Sequence, residues 1–426
     1  MENEHLDSGD QPTLPPQPPK HLTDDMLRNV FHRLPPEPIA LAFVCSSYKP
    51  WRRVVHDEEN FLRPFRMAHH NIPPLLGLYS DDVHGSLHFT RTTKGAMNLP
   101  APPLASAVEH RPGFHGYGCT HGRLLLDAAR DDNSHGELLV WDPLTEEHNL
   151  VPSAPGFVRG QSCGAALVCD ADHAHHGDCH SSPFRVVFAY SEYMPPGPFH
   201  PPSFIRIFVY VYSSVTRSWG GRPAAVLRAR EGWHFDRKPS AVSGSGNGAS
   251  VFWMTGEGRN VLEFHLETER FLLMGTPDAT RGEDFVLAPA QDARLGLAGV
   301  IDNFFVVLFS RDDDGAWVHR ILLRLNAFPF HADADADADG LFGIDIPTYS
   351  DDEDGLSDDD DEVIGFSEQL GSIFLKAEPG VFMISLESGQ HQRVLETDQH
   401  FSRVYPYCTF YTAGEISNIP SDGGEN

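Results

Sequence analysis

Apolar residues recur at a helical spacing near the start of the chain and at a strand spacing beyond residue 75. Leu27, Val30, Phe31 and Leu34 follow i, i+3, i+4, i+7, which places them on one face of a helix. Thr23 is a good N-cap for that helix, and Asp24 and Asp25 suit the positive end of its dipole. Leu22 before the cap can staple onto Leu27. Pro35 and Pro36 stop the helix. A second run, Glu37 to Cys45, carries Ile39, Ala40, Leu41, Ala42, Phe43 and Val44 and is apolar nearly all round, so it is expected to be buried on several sides. A third begins near Pro50, a good first-turn residue. There Trp51, Val54 and Val55 share a face that Phe61, Leu62 and Phe65 extend. Three short helices within 21–68 make only a marginal core, which would gain from a partner surface.

From residue 75 the period changes to two. Ile205, Ile207, Val209 and Val211 alternate with Arg206, Phe208, Tyr210 and Tyr212. Further strands are predicted at Glu137–Trp141, Phe184–Tyr190, Val251–Met254, Val261–Leu266, Phe304–Phe309, Trp317–Leu325, Ser372–Leu375 and Val381–Leu386. A unit of strand, tight polar turn and strand recurs in VWDPLTEEHNLV, VYSSVTRSW, EFHLETERFLLM and MISLESGQHQRVL. Asp142-Pro143 suits the first two positions of a type I turn. Spacing the units by Thr145, Thr216, Thr268 and Ser388, and setting aside inserted loops, gives a repeat of roughly 40–50 residues, the size of a propeller blade. The predicted fold is a small all-α three-helix domain followed by an all-β domain, a β-propeller of roughly six to seven blades. The alternative is a pair of β-sandwiches.

The predicted organisation is a polar, Pro-rich tail over 1–20, the helical domain over 21–68, a linker over 69–74, the β domain over 75–414 and a polar tail over 415–426. Residues 331–362 interrupt the strands with 14 acidic residues and no Lys or Arg, half of the net charge of −28, and read as a disordered insert. So acidic a chain argues against sequence-independent nucleic-acid binding and against anionic membranes. The six cysteines form no Cys-x-x-Cys pair, and their sparse spacing suits a reducing compartment. The N-terminus lacks an apolar leader core and no stretch reaches membrane-span length, so cytoplasm or nucleus is the expected location.

Candidate chemistry is thin. His173, His175, His176, Cys179 and His180 crowd one polar loop, but their spacing fits no standard zinc site, and a solvated low-complexity loop is the favoured reading. Asp335, Asp337, Asp339 and Gly340 imitate the start of an EF-hand loop whose twelfth position is Ile346 rather than a bidentate Glu, so that reading is rejected. Trp141-Asp142 occurs once without a repeated Gly-His partner and reads as a strand end. The Gly-rich stretch at 244–250 has no following Lys, and neither a GxSxG elbow nor an HExxH helix is present. No catalytic residue, metal or cofactor is assigned.

The segment Leu22–Phe65 resembles an F-box, on LTDDMLRNVFHRLP, LAFVC, WRRVV and NFLRPF. Thr23 stands where the family usually has Pro, and the gap between Cys45 and Trp51 is longer than usual. The later chain resembles the F-box-associated domains of large plant families, especially those of grasses. The matching pieces are GCTHGRLLL, LLVWDPLTEE, VFWMTGEGRNVLEFHLETERF, IGFSEQLGSIFLKAEPGVFMISLESG and VYPYCTFY. The resemblance implies a non-catalytic substrate-recognition subunit of an SCF-type cullin-RING ubiquitin ligase. Its F-box would dock on the Skp adaptor, and its β domain would bind a target protein for ubiquitination. By matched position, Leu22, Leu27, Val30, Phe31, Leu34, Pro35, Ile39, Val44, Cys45 and Trp51 are expected to contact the adaptor or to support that contact. The substrate-contact residues stay unassigned. Two other classes are a propeller scaffold outside a ligase and a propeller hydrolase built on carboxylates.

Overall fold

The computed structural model describes residues 22–36, 38–81, 87–92, 116–127, 136–143, 147–170, 179, 182–194, 204–221, 224–228, 233–236, 240–243, 248–280, 285–288, 295–302, 304–312, 314–325, 361–378, 380–396 and 403–410, without the side chains of 38, 39, 42, 46, 81 and 228. Both predicted tails, most of the acidic insert and His173, His175, His176 and His180 lie outside this set. The insert ends earlier than expected, because Glu362 already opens a strand. Two units separate in the chain, one ending at His70 and one running Asn71–Phe410. Among the described residues no helix is long and apolar enough to cross a membrane.

Among the described residues the first unit holds four α-helices, not three: α1 (Asp24–Phe31), α2 (Pro38–Ser47), α3 (Lys49–Val55) and α4 (Arg63–Ala68), with a π-helical turn at Glu58–Leu62 before α4. Thr23 caps α1 by accepting from the Met26 N–H at 3.4 Å. Tyr48 is extended (φ −157°, ψ 125°) between α2 and α3, so the proline at 50 begins a new helix rather than kinking an old one. Asp57 caps the π-helical turn through the Asn60 N–H at 3.0 Å. Leu27, Phe31, Leu41, Cys45, Val54, Val55, Phe61, Leu62 and Phe65 form the core. Phe31 meets Trp51 and Phe61 edge-on, at 5.7 and 6.2 Å between centroids.

Among the described residues the second unit forms six antiparallel sheets in a propeller arrangement. Blade 1 joins β1 (Leu75–Asp81) and β2 (Leu87–Arg91) to the last strand, β24 (Tyr405–Cys408). Blade 2 is β3 (Gly116–Thr120), β4 (Arg123–Asp127), β5 (Leu138–Trp141) and β6 (His148–Val151). Blade 3 is β7 (Cys163–Cys169), β8 (Phe184–Met194), β9 (Phe204–Ser213) and β10 (Ser218–Gly220), with β11 (Ala224–Arg228) continuing the edge along β9. Blade 4 is β12 (Ala241–Ser243), β13 (Ser250–Thr255), β14 (Asn260–His265) and β15 (Arg270–Gly275). Blade 5 is β16 (Phe285–Leu287), β17 (Gly296–Ile301), β18 (Phe305–Arg311) and β19 (Trp317–Arg324). Blade 6 is β20 (Glu362–Ser367), β21 (Ser372–Ala377), β22 (Gly380–Ser385) and β23 (His391–Glu396).

The ring closes through neighbouring inner strands. β24 packs on β3, β3 on β7, β7 on β12, β13 on β16, β16 on β20, and β20 back on β24. Because β24 pairs with β1, one blade contains strands from both ends of this unit, which fastens the circle without leaving an open inner edge. Every predicted strand is observed, and the four recurring hairpins are the last two strands of blades 2, 3, 4 and 6. The sandwich alternative is therefore replaced by the propeller.

A blade sits between two others, so both faces of its strands are apolar. On β9, Ile205, Ile207 and Val209 pack with Val251, Trp253 and Phe264 of blade 4. Phe208, Tyr210 and Tyr212 join Val140 and Val151 of blade 2. Inner strands converge and must be thin. A Cβ at Gly164 of β7 would lie 2.7 Å from Trp253 Cδ1, inside van der Waals contact.

Candidate functional site

The helical unit leaves several large apolar side chains uncovered, as the propeller does at Val158, Val215 and Phe304. On α1, Leu27 and Phe31 are 5% and 4% exposed, whereas Met26 and Val30 are 52% and 54% exposed; Leu22, just before the Thr23 cap, is 45% exposed. A helix advances about 100° per residue, so Met26 and Val30 lie roughly 80–120° round from the centre of the Leu27–Phe31 stripe, on its flank. The apolar arc is wider than the core it serves. On α2, Leu41 and Cys45 point inward at 3% and 2%, and Phe43 is 63% exposed, so this helix is not buried all round. Tyr48, 49% exposed, stands edge-on to Trp51 at 6.0 Å.

Ion pairs link the helices of this unit. Arg28 reaches Asp25 at 2.7 Å and Asp57 at 3.3 Å, tying α1 to the cap of the π-helical turn. Arg53 pairs with Asp24 at 3.0 Å. The buried Arg66 pairs with Glu58 at 2.7 Å. Hydrogen bonds from Asn60, aided by Arg28, hold the Asp57 carboxyl below its ordinary range. Burial pushes the Cys45 thiol up to about 11, against the opposing pull of Arg52, so it behaves as a small apolar group. Burial, and then Arg52, lowers the basicity of His56.

The residues matched to the F-box divide between core and surface. Leu27, Phe31 and Cys45 are core; Leu34, Val44 and Trp51 pack partly buried against it. Leu22 and Val30 are exposed, and so is Pro35. Ile39 lies in α2, with its side chain outside the described set. Val30 thus departs from the single face predicted for Leu27, Val30, Phe31 and Leu34: at three residues past Leu27 it falls on the solvent side of the arc. Met26, Phe43 and Tyr48 were not among the expected site residues. The four-residue spacing of Met26 and Val30 was the signal available for the first of them.

The propeller carries a polar cleft of about 250 Å³ between blades 2 and 3, lined by Arg123, Asp142, Glu147, Asn149, Ser182 and Ser214 among others. Arg123 is 4% exposed, donates to the Ser182 carbonyl at 2.9 Å and lies 5.2 Å from the Phe184 ring centroid. Desolvation lowers the guanidinium's basicity, and Cys169, Cys179 and Asp142 oppose that shift. The cleft is smaller than the roughly 300–1,000 Å³ typical of small-molecule pockets.

No family model and no curated protein matches the chain. Solved structures do. A luciferin-regenerating enzyme aligns at 10% identity over 67% of this chain and 76% of its own, with a TM-score of 0.33. A protein from Lactobacillus plantarum aligns at 12% identity over 79% and 97%, TM-score 0.35. The Malassezia sympodialis allergen Mala s 1 aligns at 10% over 49% and 77%, TM-score 0.24. Likenesses this loose carry no argument about function.

Proposed function

We propose that this chain is an F-box substrate-recognition subunit of an SCF-type cullin-RING ubiquitin ligase, its helical unit docking on a Skp adaptor and its propeller holding a target protein. The observation that carries the reading is the exposure of Leu22, Met26, Val30, Phe43 and Tyr48 on and beside short helices that share a packed core. Large apolar side chains on adjoining short helices, over a small core, suit a protein–protein interface whose energy comes from a few anchors. The F-box resemblance of Leu22–Phe65 supplies the identity of the partner. The chain itself performs no chemistry in this reading; ubiquitin transfer occurs elsewhere in the assembly. The target would meet the loop-bearing faces of the propeller.

Affinity purification of the intact chain, followed by mass spectrometry, tests the proposal. Recovery of a Skp adaptor and a cullin, lost when Met26 and Val30 are both changed to Gln, is the expected result. Absence of both partners from the wild-type pull-down overturns it.

A further inference from the structure

Three side chains of metal-ligand type, from separate stretches of sequence, meet at one end of blades 2 and 3. His121 lies in the two-residue turn joining β3 to β4, where it and Gly122 both have positive φ (49° and 77°), the backbone of a type I′ hairpin. Cys169 ends β7, and Cys179 precedes β8. A ligand atom of each lies within 4.8 Å of the others. The two sulfurs are 3.8 Å apart and not joined as a disulfide. All three are withdrawn from water, at 9%, 3% and 1% exposure.

We propose that His121, Cys169 and Cys179 form a binding site for a zinc-type divalent transition-metal ion. It does not rest on the ligase reading. The distances fit a tetrahedral ion: ligands about 2.3 Å (S) and about 2.0–2.1 Å (N) from zinc sit about 3.8 Å apart sulfur to sulfur and about 3.6 Å sulfur to nitrogen. The sulfurs already hold that separation, and the imidazole needs to close by about 1.2 Å at most. The ligand types, one imidazole and two thiolates, are those zinc prefers over magnesium or calcium.

Charge agrees. Two thiolates neutralise the ion, and next to them the buried Arg123 faces the buried Asp142. The Arg123 Nε–H has no hydrogen-bond partner among the described residues, although its Nη1 is engaged by Ser182. A metal-bound thiolate is an acceptor that such a donor can serve, as outer hydrogen bonds commonly do around zinc. The set supplies three protein ligands and leaves one tetrahedral position to water.

Cobalt(II), added to the full-length chain purified with chelator and reductant, is the probe. The expected result is one equivalent bound with a thiolate-to-cobalt charge-transfer band and tetrahedral visible bands, both displaced by zinc. Cys169→Ser, Cys179→Ser and His121→Ala should each weaken cobalt binding at least tenfold, whereas Cys163→Ser should not. A variant with His173, His175, His176 and His180 all changed to Ala should keep the band. Independent of whether any variant folds, wild-type protein that shows no thiolate charge-transfer band overturns the site. So does a band that survives Cys169→Ser and Cys179→Ser, one lost with the four loop histidines but kept in His121→Ala, or a Cys169–Cys179 disulfide in place of metal binding.

Discussion

Changing Met26 and Val30 to Gln separates docking from folding. The two side chains are 52% and 54% exposed, so each retains about half of its surface for a partner. Complete burial of such a side chain is worth about 1.5–3 kcal/mol, so the exposed halves offer about 0.8–1.5 kcal/mol each. Losing both should cost roughly 1.5–3 kcal/mol of binding, or about 10–150-fold in Kd. Stability should change by no more than about 0.5 kcal/mol, because neither side chain belongs to the core and Gln is a good helix former. Titration calorimetry of the full-length variant with a purified Skp adaptor measures the first quantity, and thermal melting measures the second. Leu27→Ala is the converse control: Leu27 is 5% exposed, so it should cost about 2–5 kcal/mol of stability and weaken binding only through unfolding. The pair Leu34 and Val44 is a poorer probe, since both pack against the core and their loss mixes the two effects. Adaptor affinity within about twofold of wild type for the Gln pair, in a folded protein, would refute the argument that the exposed arc is the docking surface.

Three further outcomes are expected. Asp57 titrates below its ordinary value of 3.8 in the folded chain, so its stabilising contribution is complete above that pH and disappears as pH falls through the depressed value; the stability gap between wild type and Asp57→Asn should shrink only below about pH 4, as followed by circular dichroism. Burial raises the Cys45 thiol to about 11 and the Cys408 thiol to about 12, so at about pH 8 alkylation mapped by mass spectrometry should find both almost unreactive until the chain unfolds. Ending the chain before residue 403 removes β24, the strand that completes blade 1 and bridges β20 to β3, and should abolish the cooperative melt of the propeller while residues 22–70 keep their helical signal.

What the sequence disclosed and what it hid follow from where each signal is local. The hairpins at Thr145, Thr216, Thr268 and Ser388 are local, each a strand, a turn and a strand, and they marked four of six blades. The strands of the last hairpin of blade 5 were predicted, but its turn through Arg311–Trp317 is an acidic loop unlike the others, so it did not show the recurring motif. The inner strands were passed over. GYGCT of β3 and CGAALVC of β7 are rich in Gly and Ala because the blades crowd together at the centre, and small residues carry little alternation. On α1 the helical period was legible, but period alone cannot say how wide a sector the core covers, so Val30 was grouped with Phe31. The cysteine–histidine cluster is the extreme case. Sequence proximity drew attention to His173, His175, His176 and His180 around Cys179, yet the neighbours that converge on Cys179 are Cys169, across the β7–β8 connection, and His121, from another blade. Ligand spacing along the chain is informative only where one hairpin or helix supplies the ligands. In a propeller, adjoining blades bring strand ends together regardless of sequence distance, so a site shared by two blades leaves no spacing to read.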